Sequence, residues 1–598
     1  MTSPIAVGTR FDSLEALKQA CRQLAIDTHF EFLTSHSNKS RYTIACKAEN
    51  CPWRLHATSV HKTPAFQIKT LHSDHSCYGI NHSGNNAATA TFVAKYVAEK
   101  LKQQPEYRPI DIIKDIQREQ GVEITYNKAF RAKETVTAMI SGTHEEGYKL
   151  LPNYCESIKA SNPGTTVILN TTEDNKFKRI FMCYGASAAG FEHCRPLVGL
   201  DGTHLKAKYQ GILLAATGVD ANGSLFPLAY AVVDAENDDN WHWYLESLRA
   251  VLEQHIPNSL QSPNAFTFLS DRQKGLLDGV DAVFPQSAHG YCLKHLEANF
   301  HKAFKHPELT SLLWKAAAAT TEHEFTETLD KMRSINPHCV EWLLSHADPK
   351  HWAEVYFPGR RFGHLTSNIA ESLNSRLLRP RELPLYPMLE AMREQLMDWF
   401  AIRRNSEDRT QGIIVAKMAK KILSLQEFGR RYRARMSTAT RYEVDSVETL
   451  KTYPVNLQNH TCTCGEWQAQ GFPCAHAIRA ILTRNENPQN YAESFYTLDA
   501  YKSTYAGAIM HPETAQLDSE PPEFDGNQYK GVQIVIDGEG DDESESEDAL
   551  MPPSTRRPTG RPKKRRIRNG IMEQPPRSFK CSRCKGIGHS KRTCRAAI

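Results

Sequence analysis

The chain has 598 residues, a formal net charge of +5 and 40% hydrophobic residues, enough for three or more folded units at roughly 100–200 residues per domain. It contains no run of about 18 apolar residues, which excludes a helical membrane span and leaves no membrane partner expected. The N-terminus lacks the basic-then-apolar layout of a secretory signal, so a cytosolic or nuclear home is expected, where thiols stay reduced and a disulfide framework is disfavoured.

From the N-terminus, residues 1–80 read as a small metal module. Cys46-x4-Cys51 and His75-x-Cys77 are two short chelating pairs, the supply of soft and borderline ligands that tetrahedral Zn2+ requires. Between them, Trp53–His56 and Phe66–Ile68 read as short strands, and His72 is a spare ligand nearby. Residues 81–91 read as a linker and 92–145 as helical. Within the latter, two amphipathic segments flank Gly121, compatible with a helix-turn-helix that reads DNA or with a hairpin serving packing alone.

Residues 195–305 alternate strand and helix. Leu197–Leu200, Ile212–Val219 and Leu225–Val233 are apolar strands. A helix capped by Asn240 follows, with Trp241, Tyr244, Leu245, Leu248, Val251 and Leu252 at helical period. Phe266–Leu269 is a fourth strand, and Leu276, Leu277, Val280, Val283 and Phe284 mark a second helix. Three strands, a helix, a strand and a helix is the order of a ribonuclease-H-like α/β fold. The domain is expected to span 195–380, with a helical insertion at about 306–360. Residues 386–436 read as longer helices carrying Lys417, Lys420, Lys421, Arg430, Arg431, Arg433 and Arg435, either a solvated face or a contact to DNA phosphates.

Nine of the fifteen cysteines fall into three tight groups, each with a histidine. The second group, Cys462-x-Cys464 with Cys474-x-His476 in residues 450–490, is the SWIM zinc-finger pattern. The third, Cys581-x2-Cys584-x4-His589-x4-Cys594 in residues 579–598, has the spacing of a zinc knuckle, a module that commonly binds single-stranded nucleic acid. About three structural Zn2+ ions are therefore expected. Residues 510–578 are rich in proline, serine and charge and read as disordered, with an acidic run at 537–548 and a basic run at 556–568. Gly560-Arg561-Pro562 resembles an AT-hook, which places arginine in a narrow minor groove. Lys563, Lys564, Arg565 and Arg566 read as a nuclear import signal and, with Arg561, as DNA contacts.

Asp201 and Asp271 stand at the ends of separate strands, where an open sheet presents its ligand-binding side chains. Two carboxylates there suit hard divalent cations, with strand-end capping as the simpler alternative. Asp234 and Glu236 follow another strand and are rival or auxiliary acids. Trp241 reads as a core residue.

Four motifs carry a resemblance: Leu200-Asp201-Gly202-Thr203-His204, Ser270-Asp271-Arg272, Cys292-x2-His295, and Thr366-Ser367-Asn368-Ile369-Ala370-Glu371-Ser372-Leu373-Asn374. With the SWIM pattern and the basic tail, they resemble the Mutator-like element (MULE) transposases in both content and order. The N-terminal zinc module resembles those of WRKY and far-red-impaired-response proteins. The resemblance implies a DDE triad of Asp201, Asp271 and Glu371 holding Mg2+ or Mn2+. It further implies a nuclear protein that binds terminal inverted repeats and target DNA, cuts and joins strands, and pairs two ends as a homo-oligomer. Glu371 is expected on a helix with Ile369, Leu373 and Leu377 as its apolar stripe, and Asn374 on the face of Glu371. Cys292 and His295 are half a metal site or a DNA-positioning pair. The alternative implied by the far-red-impaired-response likeness is a domesticated DNA-binding regulator without catalysis.

Overall fold

The computed structural model describes residues 5–61, 63–77, 86–104, 107–406, 412–449, 451–512 and 549–553. The AT-hook-like motif, the basic run and the C-terminal knuckle ligands Cys581, Cys584, His589 and Cys594 lie outside them.

The N-terminal module is a five-stranded antiparallel sheet of β1 (Arg10–Phe11), β2 (Phe32–Ser37), β3 (Arg41–Cys46), β4 (Arg54–Ser59) and β5 (Phe66–His72), in the order β1-β5-β4-β3-β2. Alternation of buried Tyr42, Ile44, Leu55, Ala57, Phe66 and Ile68 with polar neighbours gives it one apolar face. The helix Leu14–Asp27, started by Ser13 accepting from the Ala16 N–H, buries Leu17, Cys21, Ala25 and Ile26 in the same core. Three further helices follow: Ala90–Gln103, Pro109–Gln120 and Tyr126–Ser141. Gly121 ends the second in the left-handed region (φ +65°), as the sequence break there predicts.

The central sheet has seven strands: β6 (Thr166–Thr171), β7 (Phe177–Cys183), β8 (Leu197–His204), β9 (Ile212–Val219), β10 (Leu225–Val233), β11 (Thr267–Ser270) and β12 (Ala288–Tyr291), in the order β12-β11-β8-β9-β10-β7-β6. β8, β9 and β10 form an antiparallel meander, β11 runs parallel to β8, and β12 runs parallel to β11. Every residue of β9 is buried, as expected of a strand covered on both faces. Pro227 stands in a central strand, where its missing N–H would cost a ladder bond; the register shifts between Pro227 and Ala229, and the bulge accommodates it. The helix Asp238–His255 buries all six residues of the stripe expected from its periodicity. Its N-cap is Asn237, not Asn240; Asn240 lies within the first turn and donates to Asp234 and to the Ala235 carbonyl.

Between β12 and the helix Asn368–Arg376 come the helices Leu293–Phe304, Pro307–Ala318, Glu322–Ile335, Pro337–His346 and Pro349–Trp352, which build a separate core around Leu313, Met332 and Trp352. Beyond them, the helices Leu385–Ser406 and Ala416–Gly429 lead into an antiparallel sheet of β13 (Tyr432–Met436), β14 (Arg441–Ser446), β15 (Thr452–Asn456) and β16 (Thr461–Cys462). Arg433 and Arg435 therefore lie on a strand, not on a helix: Tyr432 and Ala434 alternate inward while the arginines face out. The basic residues are also less free than their clustering suggests. Lys421 donates to Gln470 and lies over the Phe472 ring, and Arg435 pairs with Asp445.

One expectation of disorder is corrected. Residues 549–553 return to the central sheet, where Leu550 is buried and Met551 exchanges backbone hydrogen bonds with Asn175 and Phe177. Leu550, the apolar residue buried after the acidic run, anchors this segment where the surrounding polar sequence could not.

Candidate active site and metal centres

The pairing of β8 with β11 sets the acidic site. Leu269 is opposite Gly199 in the last pair of this parallel ladder, and Asp271 and Asp201 each follow that pair by two residues on neighbouring chains, close enough for the charge of Asp271 to act on Asp201. Asp271 follows the last residue of β11, as expected. Asp201 is instead inside β8, which runs on to His204 because β9 continues to pair with it.

Gly199 and Asp201 share one face of β8 by the period of two. A Cβ on Gly199 would stand 2.7 Å from Cγ1 of Ile369, so the bare backbone lets the helix Asn368–Arg376 lie against that face. The helix buries Ile369, Ala370, Leu373 and Asn374, and Glu371 and Asn374 share its acid-facing side. Asn374 donates from Nδ2 to Oδ2 of Asp201 at 2.7 Å. Arg381, buried just beyond the helix, donates to the Thr203 hydroxyl, the His204 carbonyl and the Asn374 carbonyl, tying the helix to the end of β8. Lys294 reaches Oε2 of Glu371 at 3.4 Å. Glu236 closes another side: its Oε1 lies 2.6 Å from where a Cβ on Gly202 would be.

Burial raises Asp201 to about 6; the Asn374 hydrogen bond opposes this, while the charges of Asp271 and Glu371 add to it. Burial also raises Glu236, with Asp271 and Asp201 adding to the shift. Asp201 and Glu236, both buried and facing neighbouring negative charge, are donors whose ionised form a divalent cation would favour. Cys292 follows β12 and caps the helix Leu293–Phe304, with His295 one turn along it. Burial opposes ionisation of Cys292, but hydrogen bonds from His295 and Ser367 outweigh it and hold the thiol below its ordinary value. The same Cys292 contact lifts His295 to about 8.

Two Cys/His clusters have the dimensions of a zinc cage. With Zn–S of about 2.3 Å and Zn–N of about 2.0 Å, tetrahedral edges run about 3.5–3.8 Å. In the first, Cys46 Sγ is 3.7 Å from Cys77 Sγ, and His75 Nδ1 is 3.3 Å from Cys51 Sγ and 3.6 Å from Cys77 Sγ. The Trp53 ring stacks on His75 and fixes its orientation, while His72, exposed at the end of β5, takes no part. In the second, His476 Nδ1 is 3.7 Å from Cys462 Sγ and 3.8 Å from Cys474 Sγ, with Cys464 completing the set. Tyr453 stacks on the His476 ring, and Tyr432 meets it edge-on.

The family model of the MULE transposase domain matches residues 197–299. The chain carries a MULE transposase domain. The MuDR family transposase model, which describes a DNA-binding domain, matches residues 3–68, and the SWIM zinc finger model matches residues 453–485. Among curated proteins, the chain is 19% identical to Protein FAR1-RELATED SEQUENCE 4 of Arabidopsis thaliana over 65% of its own length and 59% of that protein's. It is 24% identical to Protein FAR-RED IMPAIRED RESPONSE 1 over 39% and 28%, and 22% identical to Protein FAR1-RELATED SEQUENCE 6 over 24% and 19%, both of the same organism. The chain thus spans less than two thirds of each of these relatives. A crystal structure of AFT2 in complex with DNA aligns with 22% of the chain at 16% identity and a TM-score of 0.13, too slight a likeness to carry an argument.

The MULE domain match contains Asp201, Asp271, Cys292 and His295 and stops short of Glu371. The fold supplies what the match does not, since the helix of Glu371 packs on the strand of Asp201. Asn374 was legible as a neighbour of Glu371, but not as the partner of Asp201. Nothing in the sequence marks Arg381, which lies outside every motif. Trp241 is fully buried and donates to Gln273, a core residue as read.

Proposed function

We propose that the chain is a Mutator-like DNA transposase that cleaves DNA at the ends of its element and joins it to a target, with Asp201, Asp271 and Glu371 as the acids of a DDE site. The observation that carries this reading is the convergence of Asp201, from a central strand, with Asp271, just past the end of the neighbouring parallel strand, and Glu371 on the helix packed against the strand of Asp201. The strand order β10-β9-β8-β11-β12, a meander followed by two parallel strands, supports a ribonuclease-H-like core.

The carboxylates of Asp201, Asp271 and Glu371, with Glu236 beside them, are hard oxygen donors suited to Mg2+ or Mn2+. Such ions, when bound, activate the attacking oxygen and offset charge on the leaving oxygen of a phosphodiester. Asn374 donates to Oδ2 of Asp201 while the Gly202 N–H donates to Oδ1, so the two hydrogen bonds together fix the orientation of the carboxylate. Arg381 keeps the Glu371 helix seated on β8. The MuDR-type N-terminal module supports recognition of terminal repeats, and the SWIM cluster and N-terminal cluster support structural Zn2+. The reading entails a nuclear location and a homo-oligomer that pairs two ends.

The similarity to FAR1-RELATED SEQUENCE 4 over most of the chain favours one other reading, a transposase-derived DNA-binding regulator that no longer cuts. Incubating the full chain with Mg2+ and DNA bearing its own terminal repeats, beside Asp201→Ala, separates the two. Cleavage at the repeat ends that disappears in the variant is the expected result. Tight binding without cleavage in Mg2+ and in Mn2+ favours the regulator.

A further inference from the structure

Beside the four carboxylates lies a second donor group of different chemistry. Cys292 Sγ, a ring nitrogen of His295 and a carboxylate oxygen of Glu371 all lie within 4.8 Å of one another. Two of them are held by one rigid element: Cys292 caps the helix Leu293–Phe304 and His295 follows three residues later, so both stand over its first turn. That turn is anchored to the sheet and to the segment before the Glu371 helix, since the Cys292 N–H donates to the Ser270 carbonyl and the Leu293 N–H to the Leu365 carbonyl. The sulfur is buried, the imidazole is exposed and Glu371 lies between, so an ion has a way in from solvent. Tetrahedral edges of about 3.5 Å ask for a contraction of roughly 1 Å, within the reach of side-chain rotation.

The donor set selects the ion. Mg2+ wants oxygen alone, whereas thiolate and imidazole together favour Zn2+. Three protein ligands leave the fourth position open to water, unlike a closed four-ligand structural site, and an incomplete protein cage reached from solvent is one from which the ion can exchange. Lys294 already places a cation 3.4 Å from Glu371, and its exposed chain is free to swing aside.

We propose that Cys292, His295 and Glu371 form an exchangeable Zn2+ site, separate from the two four-ligand clusters, whose occupation draws Glu371 away from Asp201 and Asp271 and so acts as a brake on the hard-cation site. The zinc site itself is independent of the nuclease reading; the brake rests on it.

The test counts metal. The full chain, Cys292→Ser, His295→Ala and Asp201→Ala are equilibrated with buffered Zn2+, gel-filtered and analysed for zinc per chain. Cys292→Ser and His295→Ala are expected to lose one equivalent relative to the unaltered chain, and Asp201→Ala to lose none. Equal zinc in the unaltered chain and both ligand variants overturns the site, as does loss of the equivalent in Asp201→Ala. Should Cys292→Ser not fold, the surface variant His295→Ala decides. In Mg2+-dependent cleavage, His295→Ala should need about tenfold more Zn2+ for half-inhibition than the unaltered chain, and identical inhibition overturns the brake. If no chain cleaves at all, the nuclease reading and its brake fall together, and the zinc count still decides the site.

Discussion

The side-chain amide of Asn374 donates to Oδ2 of Asp201 at 2.7 Å, joining a helix to a strand 173 residues away in sequence. Hydrogen bonds to charged groups contribute about 1.5–3 kcal/mol, and this one orients an acid whose geometry cation binding depends on. Asn374→Ala should lower the cleavage rate by about ten- to a hundredfold with DNA binding retained. Asn374→Asp, which sets another carboxylate against Asp201, should lose more. Single-turnover cleavage beside a filter-binding assay reads both; an Asn374→Ala rate equal to the unaltered chain would show that the bond is incidental.

Raised to about 6 by burial, Asp201 binds its proton more tightly in the folded chain than in the unfolded one. Its contribution therefore favours folding at low pH, declines as pH rises from about 4 and is wholly lost above about 6. Without added Mg2+, Asp201→Asn should stabilise the chain at pH 7 by about 1–2 kcal/mol, after allowing for solvent screening of a half-buried group. The gain should shrink as pH falls toward 4, and Mg2+ should stabilise the unaltered chain but not the variant. Calorimetric unfolding from pH 4 to 7.5 measures it, and a gain independent of pH would mean that Asp201 is not the group responsible.

Gly199 admits the Glu371 helix to the sheet. In Gly199→Ala the new Cβ meets Ile369 at 2.7 Å, an overpacking expected to cost about 1–3 kcal/mol. Cleavage should fall by more than the stability loss accounts for, because the displaced helix carries Glu371. Trimming the neighbour in Gly199→Ala/Ile369→Ala should restore part of both, a coupling that a double-mutant cycle reads directly.

The SWIM sheet and its helix Ala475–Thr483 share a small core of Val444, Val455, Leu457, Trp467, Ala477 and Ile481. This core is small, and although Phe472 and Ile478 also pack into the main core, a Zn2+ at Cys462, Cys464, Cys474 and His476 is expected to contribute strongly to its stability. Chelation of Zn2+ should open residues 432–485 to limited proteolysis, and re-added Zn2+ should close them. Cys474→Ser should give the open pattern at any Zn2+ level. Persistent protection in the chelated chain would show that the fold there stands without metal.

Motifs with short internal spacing were legible from the chain alone. The zinc pairs at Cys46–Cys51, His75–Cys77, Cys462–Cys464 and Cys474–His476 are set by chelate geometry within a few residues. The stripe from Trp241 to Leu252 is set by the 3.6-residue period. The edge strands β6 and β12, and β7 beside β6, carry no clear strand signal in the sequence, being short or mixed in polarity. The sequence of β13 reads as helix because its arginines continue a basic helical run.

What the sequence determined by itself is therefore the local chemistry: which residues chelate, which faces are apolar, and that Asp201 and Asp271 each follow an apolar run of strand character. What only the tertiary structure decided is which distant groups meet. The β8–β11 pairing brings the two aspartates onto neighbouring chains, the bare face of Gly199 admits the helix of Glu371, Asn374 reaches Asp201, and Glu371 comes within reach of both the acids and the Cys292–His295 pair. Such pairings rest on strand register and close packing, long-range constraints that leave no periodic trace in the residues themselves.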